Sequence, residues 1–177
     1  MRNEGEQKPA NHAPAAVKVK GLTRTFGKFV AVDNISLSVK KGEIFGFLGP
    51  NGAGKTTTLK ILLGLVRATS GRALLLGEPA GHVTTRRRIG FLPESPYFYD
   101  YLTAEEFLGF YGQLAGLSRA MTTQRSDELL HLVGLAEARA RQLRKFSKGM
   151  LQRIGLAQAL IHDPELVILD EPMTGLD

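Results

Sequence analysis

A chain of 177 residues and 19.3 kDa is long enough for one domain with a hydrophobic core. Its 43% hydrophobic and 23% charged residues lie near the globular average and exclude wholesale disorder. The absence of cysteine excludes disulfide scaffolds, thiolate metal sites and cysteine nucleophiles, and makes a reducing compartment the natural setting.

No apolar run approaches the ~18 residues of a spanning helix. The N-terminal MRNEGEQKPANHAPAA has no apolar stretch to act as a secretory signal, and residues 1–16 read as a disordered tail. The expectation is a soluble, cytoplasmic protein. A net charge of +6 raises nucleic acid as a partner. Most of the excess sits between Glu137 and Arg153, where Arg139, Arg141, Arg144, Lys145, Lys148 and Arg153 face one anion. Such a run is ordinarily a solvated face, and a phosphate partner is the alternative.

Along the chain, VKVKGLTRTFG alternates as a strand. FVAVDNISLSVKKG follows as two short β segments, with turns at Asp33-Asn34 and Lys41-Gly42. EIFGFLG is a short run of β-formers that reads as a strand. It leads into the glycine turn and apolar helix of PNGAGKTTTLKILLGLV. RALLLG and RRRIGFLP are further strands.

From about Pro96 the pattern becomes helical. Thr103 to Glu106 is a capping box opening one helix, SDELLHLVGL is a second, and MLQRIGLAQALIH a third. The third carries Met150, Ile154, Ala157 and Ile161 on one face and ends at Asp163-Pro164. LVILD reads as a strand buried on both faces. The order implies an α/β protein with a helical subdomain at about 97–162.

Two motifs carry chemistry. Gly49, Pro50, Asn51, Gly52, Ala53, Gly54, Lys55 and Thr56 fit G-x-x-x-x-G-K-[ST], a match expected by chance in roughly one chain in a hundred to a thousand of this size. Glycines let successive backbone N–H groups turn inward around phosphate oxygens, and the helix that follows directs its positive end at the same anion. Lys55 reaches the β- and γ-phosphates and the Thr56 hydroxyl can ligand Mg²⁺, with Thr57 beside it. The second motif is LVILDE, whose Asp170 ends a strand where a carboxylate can hold Mg²⁺. Glu171, one residue on, is suited to orient or deprotonate the attacking water. A carboxylate at a strand end is also a common cap or turn residue.

With these motifs on the page, the sequence from Val17 to Asp177 resembles the nucleotide-binding subunit of ATP-binding cassette (ABC) transporters. Phe146-Ser147-Lys148-Gly149-Met150 holds the position of that family's Leu-Ser-Gly-Gly-Gln signature. The resemblance implies a P-loop NTPase core with a mainly parallel sheet, an N-terminal antiparallel β subdomain and the inserted helical subdomain. It implies ATP and Mg²⁺ as cofactors, and a head-to-tail dimer with a second ATP-binding subunit, the same or different. In that dimer Ser147 and Gly149 would act on the γ-phosphate held by the opposite subunit, so that the basic run faces phosphate.

It also implies an aromatic ring stacking on adenine at Phe26, with a core Phe of an edge hairpin as the alternative. Glu94 falls where the Q-loop usually has Gln, and would touch Mg²⁺ or the lytic water. Thr174-Gly175-Leu176-Asp177 resembles the D-loop.

Three departures matter. Lys148 and Met150 replace Gly and Gln of the signature, and Lys148 either adds a cation near the γ-phosphate or points to solvent. Glu94 adds a negative charge that Gln would lack. The family's switch histidine has no counterpart among His12, His82, His131 and His162, so the chain reads as a truncated cassette.

The aromatics Tyr97 to Tyr101 suggest a docking surface, while Phe107, Phe110 and Tyr111 suggest packing inside the helical subdomain. The expected function is the ATPase subunit of an exporter-like transporter, peripheral on the inner face of the membrane and joined to an integral membrane permease, with no nucleic acid. The alternatives are a soluble ABC ATPase acting on nucleic acid, and a fragment that binds nucleotide without turnover.

Overall fold

The computed structural model describes residues 15–172. The D-loop residues Thr174 to Asp177 and most of the N-terminal tail lie outside them. Strand β1 (Ala15–Phe26) starts two residues before the alternating pattern does, with Ala16 buried. It pairs antiparallel with β2 (Phe29–Lys40) and with β3 (Ser70–Leu75), and β4 (Glu78–Pro79) closes the sheet in the order β2-β1-β3-β4. β2 is one strand where two were expected. Asn34 takes a left-handed φ of 46, and the register shifts beside it absorb the turn chemistry as a bulge rather than a break.

Helix α1 (Lys55–Leu62) follows the glycine loop and packs Ile61 and Leu62 into a core with Val19, Leu22, Val32 and Leu75. After the single turn α2 (Val83–Arg86), strand β5 (Ile89–Leu92) pairs in parallel with β6 (Leu166–Leu169). Between them come α3 (Ala104–Leu114), α4 (Arg119–Leu132) and α5 (Lys148–Leu160). These helices share a second core around Phe107, Leu108, Leu130, Leu143 and Ile154. Thr103 caps α3 with both arms of the expected capping box formed. Close approach joins the two cores, because a Cβ on Gly90 would lie 2.1 Å from the Ala159 carbonyl oxygen. α5 therefore rests directly on β5, at a position only glycine can occupy.

Two strand expectations are corrected. Residues 43–50 have no regular structure, and Ile44 and Leu48 are exposed. β-propensity alone makes no strand, and among the described residues this segment has no partner to complete a ladder. β6 is also not buried on both faces. Ile168 points into the core, while Val167 and Leu169 on the opposite face stand more than a third exposed.

Arg88 and Glu165 tie the starts of β5 and β6, with Arg88 Nη2 donating to Glu165 Oε2 at 2.8 Å. That hydrogen bond from the guanidinium holds the Glu165 carboxyl below its ordinary value of 4.5. A depressed folded-state pKa means that the contribution is complete above the unfolded value and is lost as pH falls through the folded one. Glu165→Gln should therefore lower thermal stability at pH 7 and converge with wild type in acid, as read from melting curves across pH. A constant offset down to pH 3 would exclude this coupling.

Candidate functional site

The glycine loop is shaped by backbone geometry. Gly52 and Gly54 have φ of 82 and 83, in the left-handed region that glycine enters without steric cost. Gly54 is the N-cap of α1 and packs flat on β2, since a Cβ there would meet the Ala31 carbonyl oxygen at 2.2 Å. Gly54→Ala adds a left-handed strain and a backbone clash, and should destabilise the protein by about 3 kcal/mol. Denaturant melts would test this, and a loss under ~1 kcal/mol would contradict the close packing.

Lys55 folds back over the loop, its Nζ donating to the carbonyls of Gly49 at 2.7 Å and Pro50 at 3.0 Å. The ammonium is thus held above the turn by acceptors that an anion can replace. Across from it, the Thr56 hydroxyl donates to Asp170 Oδ1 at 3.5 Å, a long contact. Asp170 is only 4% exposed, and among the described residues no cation lies within salt-bridge distance of it. An unpaired buried carboxylate is costly, so this position favours a cation.

Glu171 takes φ 50 directly after Asp170, a sparsely populated conformation for a residue with a side chain. The two consecutive carboxylates therefore leave β6 in different directions. Asp170 meets Thr56, and Glu171 reaches the wall of an open cavity of about 380 Å³. Asn51, Gly52, Gly54, Lys55, Thr56, Thr57 and Glu94 line the same cavity. Gln152 of α5 donates to the Pro172 carbonyl at 3.1 Å, which ties the segment carrying Glu171 to the helix behind it.

The other expected residues lie elsewhere. Gly49 and Pro50 serve through their carbonyls, and Ala53 closes the turn by donating to Pro50 O at 3.2 Å. Phe26 is not on the cavity wall. Phe29 and Ala31, which the sequence reading did not single out, are. Their signal was the hairpin register, which sets Phe29 directly opposite Phe26.

Ser147 caps α5, its oxygen accepting from the Met150 N–H at 3.2 Å, so its own proton stays free to donate. Ser147 and Gly149 do not border the cavity of their own chain. The basic run is partly spoken for. Arg139 pairs with Asp127 and Glu105, and Arg153 donates to the carbonyls of Val133 and Gly134. Its cationic surface is therefore narrower than the sequence count suggests.

The aromatic segment divides differently from expectation. Phe98 packs inward against Phe107, whereas Phe110 lies partly exposed beside Tyr99. Tyr97, Tyr99 and Tyr101 form an exposed edge-to-face series with ring centroids 6.0 and 6.2 Å apart.

A phosphate-cradling loop, its lysine, and a buried acid brought to its threonine by a neighbouring strand define a P-loop nucleotide-binding protein. The family model described as "ABC transporter" matches residues 32–174, and the chain belongs to that family. It is 56% identical over 152 residues to an ABC transporter ATP-binding protein of Synechocystis, covering 85% of this chain and 43% of that one. It is 45% identical to the bacitracin transport ATP-binding protein BcrA of Bacillus licheniformis, covering 91% and 52%.

Among solved structures, an ATP-binding subunit of an ABC transporter superposes with a TM-score of 0.81 at 33% identity, covering 90% of this chain and 68% of that one. cbiO1 of Clostridium perfringens, part of the cbiONQ complex, gives 0.80 at 27%, covering 92% and 68%. These likenesses bear out the expected family and the α/β P-loop NTPase fold. The chain spans about half the length of the curated relatives it matches.

Proposed function

We infer that these residues form the nucleotide-binding and ATP-hydrolysing region of an ABC transporter's ATP-binding subunit. The observation that carries this reading is the contact of Thr56 with the buried Asp170 beside a cavity walled by the glycine loop. In it, Lys55 exchanges the Gly49 and Pro50 carbonyls for phosphate oxygens, and the loop's N–H groups and the α1 N-terminus neutralise the remaining charge. Glu171 orients and deprotonates the attacking water from the cavity wall.

Mg²⁺ fits the donor set, since Thr56, Asp170 and Glu94 offer hard oxygen ligands. The described residues hold no cluster of three acidic or histidine ligands, so phosphate and water would complete the shell. When bound, the ion neutralises charge on the β- and γ-phosphates.

Transport requires partners. No helix among the described residues is long and apolar enough to cross a membrane, and the exposed tyrosine series is the surface proposed to meet a membrane permease. cbiO1 belongs to a larger complex, and relatives are named for bacitracin transport and Nod factor export. The name of the Nod factor relative supports an exporter-like role, which we place at the cytoplasmic face of the membrane.

Dimerisation supplies the test. With its proton free, Ser147 is suited to donate to a phosphate held by a second ATP-binding subunit. Ser147→Arg in the full-length protein should keep ATP binding and abolish the ATP-dependent dimer in sedimentation velocity. Equal dimerisation of variant and wild type would argue against a composite site.

A further inference from the structure

The backbone on either side of Glu171 is anchored by different parts of the molecule. Glu171 lines the cavity with a left-handed φ of 50, a conformation that persists only where the surroundings fix it. Before it, the Asp170 N–H donates to the Leu92 carbonyl at 2.9 Å, and the Asp170 carboxylate meets Thr56. After it stands Pro172, which has no N–H, so the backbone of that residue can be held only through its carbonyl. Gln152 Nε2 donates to that carbonyl at 3.1 Å.

Gln152 is itself placed with little freedom. It is 7% exposed, and Gly155 and Ala159, three and seven residues on, lie on the same face of α5. A Cβ on Gly155 would lie 2.8 Å from Leu92 Cδ1, and the Ala159 carbonyl is the atom on which Gly90 packs. This face of α5 therefore rests on β5 at contact distance, and an amide swung away from Pro172 would be a buried donor without a partner. Among the described residues, the buried hydroxyls of Thr58, Thr85, Thr122 and Ser126 have no partner. The buried side chains of Gln152 and Asp170 are bonded, one on each side of Glu171.

We propose that Gln152 is a positioning residue for hydrolysis, its amide keeping Glu171 turned into the cavity by holding the Pro172 carbonyl. This rests on the reading of Glu171 as the base of an ATP-hydrolysing site. Gln152 does not border the cavity, so it acts through Glu171 rather than on nucleotide or water. A base displaced by about 1 Å from its line of attack can lose ~100-fold in rate, while the phosphate loop that binds the nucleotide is untouched.

The test compares turnover with binding in the full-length protein. Gln152→Met keeps the length of the side chain and removes the donor. It should lower kcat about tenfold or more and leave ATP affinity, measured by nucleotide titration, within about twofold of wild type. Gln152→Asn, whose amide ends one bond short of the Pro172 oxygen, should show the same split. In the Glu171→Gln background, Gln152→Met should cost less than about twofold more, because no base is left to position. Turnover within about twofold of wild type in Gln152→Met, or ATP affinity falling in step with kcat, would overturn the assignment. So would a further loss of about tenfold in the double variant, which would mark a general disturbance of the fold. Glu171→Gln as active as wild type would instead refute the reading of Glu171 as the base, and the proposal with it.

Discussion

Lys55→Ala should abolish tight ATP binding while leaving the nucleotide-free fold intact. Among the described residues, the ammonium of the free protein is bound only by the Gly49 and Pro50 carbonyls, on an exposed turn. Water can satisfy these acceptors once the side chain is gone, so the melting temperature without ligand should move little. The bound state differs, because the same ammonium would make charge-assisted hydrogen bonds to phosphate worth ~1.5–3 kcal/mol each. Two such bonds correspond to a loss of about a hundredfold or more in affinity. Wild type at saturating ATP–Mg²⁺ should melt higher than free protein, since ligand binds only the folded form, and Lys55→Ala should lose that increment. Unchanged affinity for a fluorescent ATP analogue would remove the loop from the binding site.

The phosphate loop was legible in the sequence because its chemistry fixes residue types at local spacing. Gly52 and Gly54 need left-handed φ, and Gly54 also needs to lie against the Ala31 carbonyl. The α3 capping box was legible for the same reason, as a reciprocal bond between Thr103 and Glu106 three residues apart. The start of α4 was not. Ser118 caps it, but the inward face of its first turns carries Thr122 and Ser126, both buried, so the apolar period surfaces only at Leu129. Features that depend on distant partners were the least accessible. EIFGFLG has the composition of a strand, yet a ladder requires a neighbour. Phe29 and Ala31 reach the cavity wall only through the fold, and the charge of Arg139 is engaged only where Asp127 and Glu105 come within reach.

Position also separates the two acidic residues at the end of β6, which the sequence presents merely as neighbours. Asp170 is buried and bonded to Thr56, so its replacement would disturb packing and the proposed cation site together. Glu171 is exposed on the cavity wall, turned there by its left-handed backbone, and makes no hydrogen bond through its side chain among the described residues. A substitution at Glu171 can therefore isolate chemistry from folding.

Glu171→Gln in the full-length protein should bind ATP as wild type does and lose at least ~100-fold in steady-state hydrolysis. Glutamine is nearly isosteric and still orients water through its amide, but it cannot accept the proton that the attacking water must release. General-base catalysis contributes typically ~100- to 10,000-fold, which sets the scale of the loss. Because ATP then persists, the variant should accumulate in the ATP-bound dimer proposed above. Its retention time on a sizing column in ATP–Mg²⁺ should shift, and that of Lys55→Ala should not. Affinity measured by nucleotide titration should remain within about twofold of wild type, since Gln removes only a charge at the rim of the cavity. Turnover within about threefold of wild type would assign the base to another group. Glu94, the other carboxylate on the cavity wall, would then be the residue to replace.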